Sequence, residues 1–563
     1  MAERSRNRAL QDLVNESNQV RNRRLRSRAM NAMNTSQEQP KSIEDLEKLV
    51  NRQKASVLYY SLAAGYLYSW LIIPTRGVVK FHATKLSEDA DDFEKPDSDR
   101  EPNILENYIQ SVRSSLGIDS VDVDTNGNDD EDEIESADQQ ERKSSNGVWS
   151  NHLEELGDKL NQESDRTGFL RMVNRSSRMN ASSYSLSSLF SVGSLGDRAS
   201  VKSGHGGANS RAGSTRSRRS GWQGHSSMRN LYQLLIEPME DDLPEGCPCE
   251  LILVLEGDLY LVPFPVLKGS HNSEYLCERF SLLVVPSLTN LKNRGPKPKQ
   301  VSSKSAEDKT QALVIGNPKI PSSVTDHWGW HDIPHAEQEA KIVGEILQNK
   351  PFLGSHANKD NILSEISSAE CVHFSCHVSW KLSAIVMSPG EFIESRSPSS
   401  ERALSSRRFS VQNDTIHEEE DLKSDGTIEL PALSEYLLTA ADILKLKLSA
   451  KLVVLSSCYT RDKHGVATAD GVIGLTRALL AAGAQCVLIS LWPVPETAVK
   501  LIMKALYSSL LQGSRVSRAL AEAMTAVQTT KYFQHPANWS GFMLVGQDIK
   551  LNNKVIFCLF TYE

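Results

Sequence analysis

Five short apolar runs constrain the fold of this chain more than any other feature: Leu251–Leu255 (LILVL), Ala312–Ile315 (ALVI), Val372–Ser375 (VHFS), Leu452–Leu455 (LVVL) and Cys486–Leu491 (CVLISL). Val, Ile and Leu dominate them, and few alternate with polar residues. Strands of that kind are buried on both faces. Helix-length amphipathic stretches lie among them, at Ala336–Leu347, Gly471–Ala482, Thr497–Leu511 and Arg515–Val527. Buried β-runs alternating with helices predict an α/β fold, a mainly parallel sheet with helices on both faces. One more apolar stretch, Val57–Ile73 (VLYYSLAAGYLYSWLII), has 17 residues, the short limit for a membrane-spanning helix. It is rich in β-formers and holds two Ser and a Gly, so it is read as two strands joined near Ala63-Ala64-Gly65.

Two tracts cannot join that core. Residues 86–225 open acidic (SEDADDFEKPDSD), pass through DDEDEIE and end as SGHGGANSRAGSTRSRRSG. Residues 389–426 hold SRSPSSERALSSRRFS and then HEEEDLKSD. Neither buries enough apolar area to offset chain entropy, and both are predicted to be disordered inserts. Within the second, Arg407-Arg408-Phe409-Ser410 has the form of a basophilic kinase site, with an unmodified loop as the plainer reading. The chain therefore divides into a polar, basic helical segment at 1–54, a domain at 55–550 carrying the two inserts, and a tail at 551–563.

Arg21–Arg28 (RNRRLRSR) carries five Arg in eight residues. A solvated helix face is the ordinary reading; nuclear import or RNA contact is the sharper one. The net charge of −8 argues against a nucleic-acid partner for the whole chain. The start MAERSRNRALQDLV has no apolar core of a secretory signal. The eight cysteines are irregularly spaced, most of them inside apolar runs, so no disulfide framework is expected. These features imply a reducing, cytoplasmic setting without a membrane anchor, with cytoskeletal or nuclear association as alternatives.

In open α/β sheets, ligands and reacting groups gather beyond the carboxyl ends of the strands. VHFS runs out into Cys376-His377, and LVVL runs out into Ser456-Ser457-Cys458-Tyr459-Thr460. A thiol nucleophile needs a base within hydrogen-bond reach, and two such strand ends can supply both. By pattern alone, a Cys after a buried strand is more often a small core residue. Asp122–Glu133 matches a calcium loop, but Asp129 stands at its usually apolar eighth position and no second loop follows. Cys371, His373, Cys376 and His377 are zinc-ligand types, yet strand alternation splits them between faces, and Cys247-Pro-Cys249 is spaced too closely for a knuckle. No phosphate loop and no dinucleotide fingerprint is present. No cofactor and no metal is expected.

LVVLSSCYT resembles the "VVLSAC-x-T" segment of the CHAT family, the caspase-like domains found with tetratricopeptide repeats, and VHFSCH resembles its histidine segment, whose second His is catalytic. Asp470–Val494 resembles the helix and strand after the nucleophile, Ala537–Gly546 the terminal strand, and Gly257–Leu267 an upstream element. Val285–Leu291, Gly316–Pro318 and Ile333–Ala340 have counterparts in the same order. The resemblance covers about 55–85 and 230–550.

It implies a caspase- or separase-like cysteine endopeptidase. Cys458 would attack the scissile carbonyl as thiolate, and His377 would move the proton. The backbone N–H groups of Cys458 and Val378 would hold the oxyanion. Caspase relatives commonly have Gly where this chain has Val378, and Val donates its N–H without strain only from negative φ. The residues after Cys458 read Tyr459-Thr460-Arg461, where Glu-Thr followed by Gly is commoner. Glu496, in WPVPE, matches the acidic residue that in separase relatives faces a basic substrate side chain; Asp470 is a second candidate for that role. The alternative is a degenerate protease-like scaffold that binds proteins, linked to cell division only by analogy with separase. Partners implied are a protein substrate or protein ligand and tetratricopeptide repeats, in cis or in trans.

Overall fold

The computed structural model describes residues 2–25, 43–86, 102–118, 226–244, 249–269, 274–291, 312–390, 432–457, 467–530 and 532–551. All five apolar runs fall in strands of one sheet. The strands are β1 (Ser56–Ala63), β2 (Tyr66–Ile73), β3 (Gly77–Lys85), β4 (Cys249–Val254), β5 (Phe280–Val284), β6 (Ala312–Pro318), β7 (Phe352–Gly354), β8 (Cys371–Cys376), β9 (Val378–Ser379), β10 (Ala384–Val386), β11 (Leu437–Thr439), β12 (Leu452–Ser457), β13 (Cys486–Ser490) and β14 (Phe542–Gly546). Eleven of them form a mixed sheet in the order β3-β2-β1-β4-β5-β14-β13-β12-β8-β6-β7. Parallel pairing prevails; β14 runs against β13, and β2 against both β1 and β3. The remaining three make a small antiparallel sheet, β11-β10-β9.

The stretch Val57–Ile73 is the β1–β2 hairpin. Its turn residues Ala64 and Gly65 take φ of 48° and 76°. A two-residue turn with both φ positive matches the twist of the strands it joins. Among the described residues no helix is long and apolar enough to cross a membrane.

Eight helices concern the argument: α1 (Ala2–Leu25), α2 (Ile43–Gln53), α3 (Ile104–Ser115), α4 (Ser226–Leu235), α5 (Pro334–Ile346), α6 (Ala469–Ala482), α7 (Glu496–Leu511) and α8 (Val516–Gln528). Helices α5, α7 and α8 pack in one layer, over β6, β8 and β5. Helix α6 packs against β13 and α1 in the layer on the other face. Side chains of a strand alternate between faces, so His373 and Ser375 of β8 point toward α5 while Val372 and Phe374 point away.

Helix α1 departs from the reading of 1–54 as a separate polar segment. Glu3, Arg6, Asn7, Leu10, Leu13 and Ser17 follow helical spacing and are buried. Arg6 Nη2 donates to the Tyr60 carbonyl at 2.6 Å and to Glu256 Oε2 at 2.7 Å, and its guanidinium lies 4.6 Å from the centre of the Tyr59 ring. Asn7 Oδ1 accepts from Thr289 Oγ1 at 2.7 Å, and Ser17 Oγ donates to the Leu444 carbonyl at 2.7 Å. This helix buries a mixed stripe in which polar residues are interleaved with Ala9, Leu10 and Leu13. The Arg21–Arg28 cluster begins in its last turn, and Arg26–Arg28 lie outside the described residues.

The expectation of an unstructured insert over 86–225 fails at 102–118. Leu105, Ile109, Val112 and Leu116, spaced 4, 3 and 4, are buried, and the helix that carries them packs on α4. Asn103 caps α3: its Oδ1 accepts from the Glu106 N–H at 3.0 Å, while Glu106 Oε2 accepts from the Asn103 N–H at 3.0 Å. Asn103→Ala is expected to lower stability by about 1 kcal/mol, read as a lower urea midpoint with an unchanged slope. The calcium-like loop Asp122–Glu133, residues 391–431 with the Arg407–Ser410 motif, and 552–563 lie outside the described residues.

Candidate active site

His377 stands immediately after β8 and is buried. The two central strands pair in parallel from Leu452↔Cys371 to Ser457↔Cys376. Ser457, the last described residue of β12, is thus registered with the residue just before His377. Cys458 follows it in sequence and, with 459–466, lies outside the described residues.

The His377 ring is oriented by one bond. Its Nε2 lies 2.7 Å from the His331 carbonyl oxygen. A carbonyl only accepts, so Nε2 carries the proton and Nδ1 is the unprotonated nitrogen. Nδ1 is buried and has no partner among the described residues. Burial pushes the His377 pKa down to about 4; His331 and His335 nearby push the same way, and the bond to the His331 carbonyl opposes them. The imidazole is therefore neutral at physiological pH, with an unprotonated lone pair on Nδ1.

That shift has a consequence for stability. An unfolded His titrates near 6.5. Between there and about pH 4 the unfolded chain takes up a proton that folded His377 refuses. The stabilisation is fully present above the unfolded pKa and is lost as pH falls toward the folded one. The urea midpoint is expected to drop on acidification from about pH 7 to about pH 4.5, and His377→Asn, which cannot titrate, is expected to flatten part of that limb.

Val378 begins β9 and is registered with Ile385 of β10. The Val386 N–H donates to the His377 carbonyl at 2.9 Å. That bond makes Val378–Ile385 a pair of the kind that exchanges no hydrogen bonds, so the Val378 N–H points away from β10. Strand β9 is the edge of its sheet, so among the described residues no further strand takes that N–H. Nor is Val378 among the non-Gly residues with positive φ. The strain that a Val would meet in a Gly conformation does not arise.

The acidic candidates occupy different places. Glu496 opens α7, half exposed, and its Oε1 lies 2.6 Å from His335 Nδ1 in the first turn of α5. Burial lowers the His335 pKa, with Glu496 opposing. Asp470 sits in the first turn of α6, two residues after the N-cap Thr468. Gly471, its neighbour, faces the Trp380 carbonyl closely enough that a Cβ would overlap it. The structure thus places His331, His335 and Val378 beside His377, with Glu496 reached through His335, and places Asp470 at the start of the opposite helical layer.

Sequence reasoning missed His331, whose carbonyl orients the ring, and His335. A backbone acceptor leaves no residue signature. His335 and Glu339 sit four apart on one face of α5, and that spacing was the available signal. Of the zinc-ligand types, His373 has both ring nitrogens engaged, Nδ1 by the Tyr507 hydroxyl at 3.0 Å and Nε2 by Glu339 at 3.1 Å. No group of three or more His, Cys, Asp or Glu is arranged to hold a metal among the described residues.

The model of the CHAT domain matches residues 225–547, more than half of the chain, and the chain belongs to the CHAT domain family. Tetratricopeptide repeat protein 28 of Homo sapiens is 42% identical over 567 residues, covering 98% of this chain and 21% of the relative. Its Mus musculus counterpart is 42% identical over 570 residues, covering 98% and 22%. The chain spans about a fifth of the length of these relatives. Among solved structures, a Saccharomyces cerevisiae separase–securin complex matches with a TM-score of 0.40 and 12% identity, covering 90% of this chain and 31% of that one. The Arg-specific cysteine proteinase gingipain R matches at 0.29 and 12%, covering 58% and 68%.

Proposed function

We propose that this domain is a CHAT-type cysteine endopeptidase with Cys458 as nucleophile and His377 as its acid–base partner. The observation that carries the reading is the buried His377 ring, held by the His331 carbonyl with its Nδ1 lone pair unpartnered among the described residues, beside the strand that leads to Cys458. Nδ1 takes the proton from the Cys458 thiol, and the thiolate attacks the scissile carbonyl carbon. The Val378 N–H, unused by its own ladder, and the N–H of Cys458 donate to the oxyanion. His377 returns the proton to the leaving amine as the C–N bond breaks and a thioester forms. A water, deprotonated by the same nitrogen, hydrolyses the thioester and frees the thiol.

Glu496 and Asp470 would recognise a basic substrate side chain. Glu496 does so in competition with His335, which already holds its carboxylate. The substrate is a protein, and tetratricopeptide repeats in the same or another chain are the partner. The site of action is the cytoplasm.

The full chain would be incubated with a proteome-derived peptide library and new termini read by mass spectrometry. Cleavage that disappears in Cys458→Ala is the expected result, and Val378→Pro, which removes the N–H its own ladder leaves unused and also restricts the backbone at 377 and 378, is expected to slow it by at least about 10²–10³. Identical termini from wild type and Cys458→Ala would mean that the domain does not cleave and serves as a protein-binding scaffold.

A further inference from the structure

Two residues before His377 along β8 lies a buried polar cluster with no apolar rationale. Glu339, on α5, reaches two successive inward positions of the strand. Its Oε1 is 3.1 Å from His373 Nε2, and its Oε2 accepts from Ser375 Oγ at 2.7 Å. His373 Nδ1 is 3.0 Å from the Tyr507 hydroxyl on α7. All four side chains are buried. The bonds form one consistent chain. Tyr507 O–H, a phenol that burial keeps protonated, donates to His373 Nδ1; His373 Nε2–H and Ser375 O–H donate to the two carboxylate oxygens.

Burying a carboxylate costs several kcal/mol before its partners offset it. Well-packed Leu at the same place would hold helix to strand at least as tightly. What the carboxylate adds is direction. Apolar contacts tolerate small slides, whereas a two-armed grip on positions 373 and 375 specifies where the helix lies along the strand. The same helix begins at Pro334, and just before it stands His331, whose carbonyl receives His377 Nε2 at 2.7 Å. Positions 373, 375 and 377 follow the alternation of one strand face.

We propose that Glu339 is the positioning residue of this site: by gripping His373 and Ser375 together it sets α5 along β8, and so sets the His331 carbonyl against the His377 ring. The role rests on the protease reading for its purpose, but not for its test. Without the grip, the loop before α5 shifts, the His331–His377 bond loosens, and the ring exchanges between its two neutral tautomers. Molecules with a protonated Nδ1 cannot accept from a thiol, and in the rest the loosened ring no longer aims Nδ1 at it, so the loss exceeds the tautomer fraction alone.

The test uses the full chain labelled with ¹⁵N-histidine. Long-range proton–nitrogen spectra report which ring nitrogen of His377 carries hydrogen, the His377 signals being assigned by their loss in His377→Gln. Wild type is expected to show Nε2 protonated and Nδ1 bare. In Glu339→Gln, which accepts through one oxygen only, both signals are expected to move toward the average of the two tautomers. Ser375→Ala, which breaks one arm and keeps the charge, is expected to give a smaller move and serves if the first variant does not fold. Alkylation of Cys458 is expected to slow by about ten- to a hundredfold in Glu339→Gln. A role in stability alone would lower the urea midpoint and leave the nitrogen signals in place. Wild-type His377 signals in the folded variants would overturn the proposal. A wild-type chain that is never alkylated at Cys458 would remove the protease reading, while the nitrogen signals would still decide the role of Glu339.

Discussion

Arg6→Leu is expected to destabilise the fold by about 3–5 kcal/mol, the usual result of removing one partner from a buried ion pair. The Arg6 side chain is 2% exposed and that of Glu256 11%. Glu256 Oε2 also accepts from the Leu62 N–H and from Ser61 Oγ, both at 3.0 Å, so its position is fixed by the β1–β2 hairpin and cannot follow a departing cation. The variant leaves a carboxylate buried against two neutral donors. It also removes the guanidinium from the Tyr59 ring and frees the Tyr60 carbonyl. The double variant Arg6→Leu/Glu256→Leu is expected to recover part of the loss, because Glu256 is then no longer stranded, although buried Glu3 and Arg477 each still lose a charged neighbour. Urea midpoints of the two single variants and the double one measure this. Equal, additive losses would show that α1 is held by its apolar contacts instead.

His377→Ala is expected to slow both library cleavage and Cys458 alkylation by about 10²–10⁴, the range of one positioned acid–base group. The effect on folding should be small or even favourable at acid pH, since the variant deletes a buried group that resists protonation. This opposition of signs is useful. A purely structural histidine would lose stability and reactivity together, whereas His377→Ala should lose reactivity while keeping its midpoint at neutral pH within about 1–2 kcal/mol equivalent.

The central sheet was legible because consecutive Val, Ile and Leu can be satisfied only between two layers. The hairpin at Val57–Ile73 was legible because Ala63-Ala64-Gly65 interrupts a β-rich run. Helix α1 was misjudged for the opposite reason: its buried stripe includes Glu3, Arg6, Asn7 and Ser17 beside Leu10 and Leu13, and polar residues at helical spacing look solvated until their partners are known. Helix α3 has an ordinary apolar face, Leu105, Ile109, Val112 and Leu116, but stands in a long acidic context that drew attention to composition over period. The small sheet of β9, β10 and β11 has strands of two and three residues, too short to show any pattern. The position of residue 377, just past the end of a buried strand, was legible from the VHFS run. The orientation of the His377 ring was not, because it depends on the His331 carbonyl and on a carboxylate 38 positions upstream of the ring (377 minus 339). Val378 looked like a departure from the family. The negative φ of that position and the unused N–H remove the physical objection without changing the residue.

One measurement bears most directly on the catalytic pairing. The full chain would be treated with a peptidyl acyloxymethyl ketone and the modified residue located by mass spectrometry, in wild type, Cys458→Ala and His377→Ala. A single adduct on Cys458, absent from Cys458→Ala and formed far more slowly in His377→Ala, is the predicted result. Adducts of the same amount in all three proteins would contradict the assignment of His377 and Cys458.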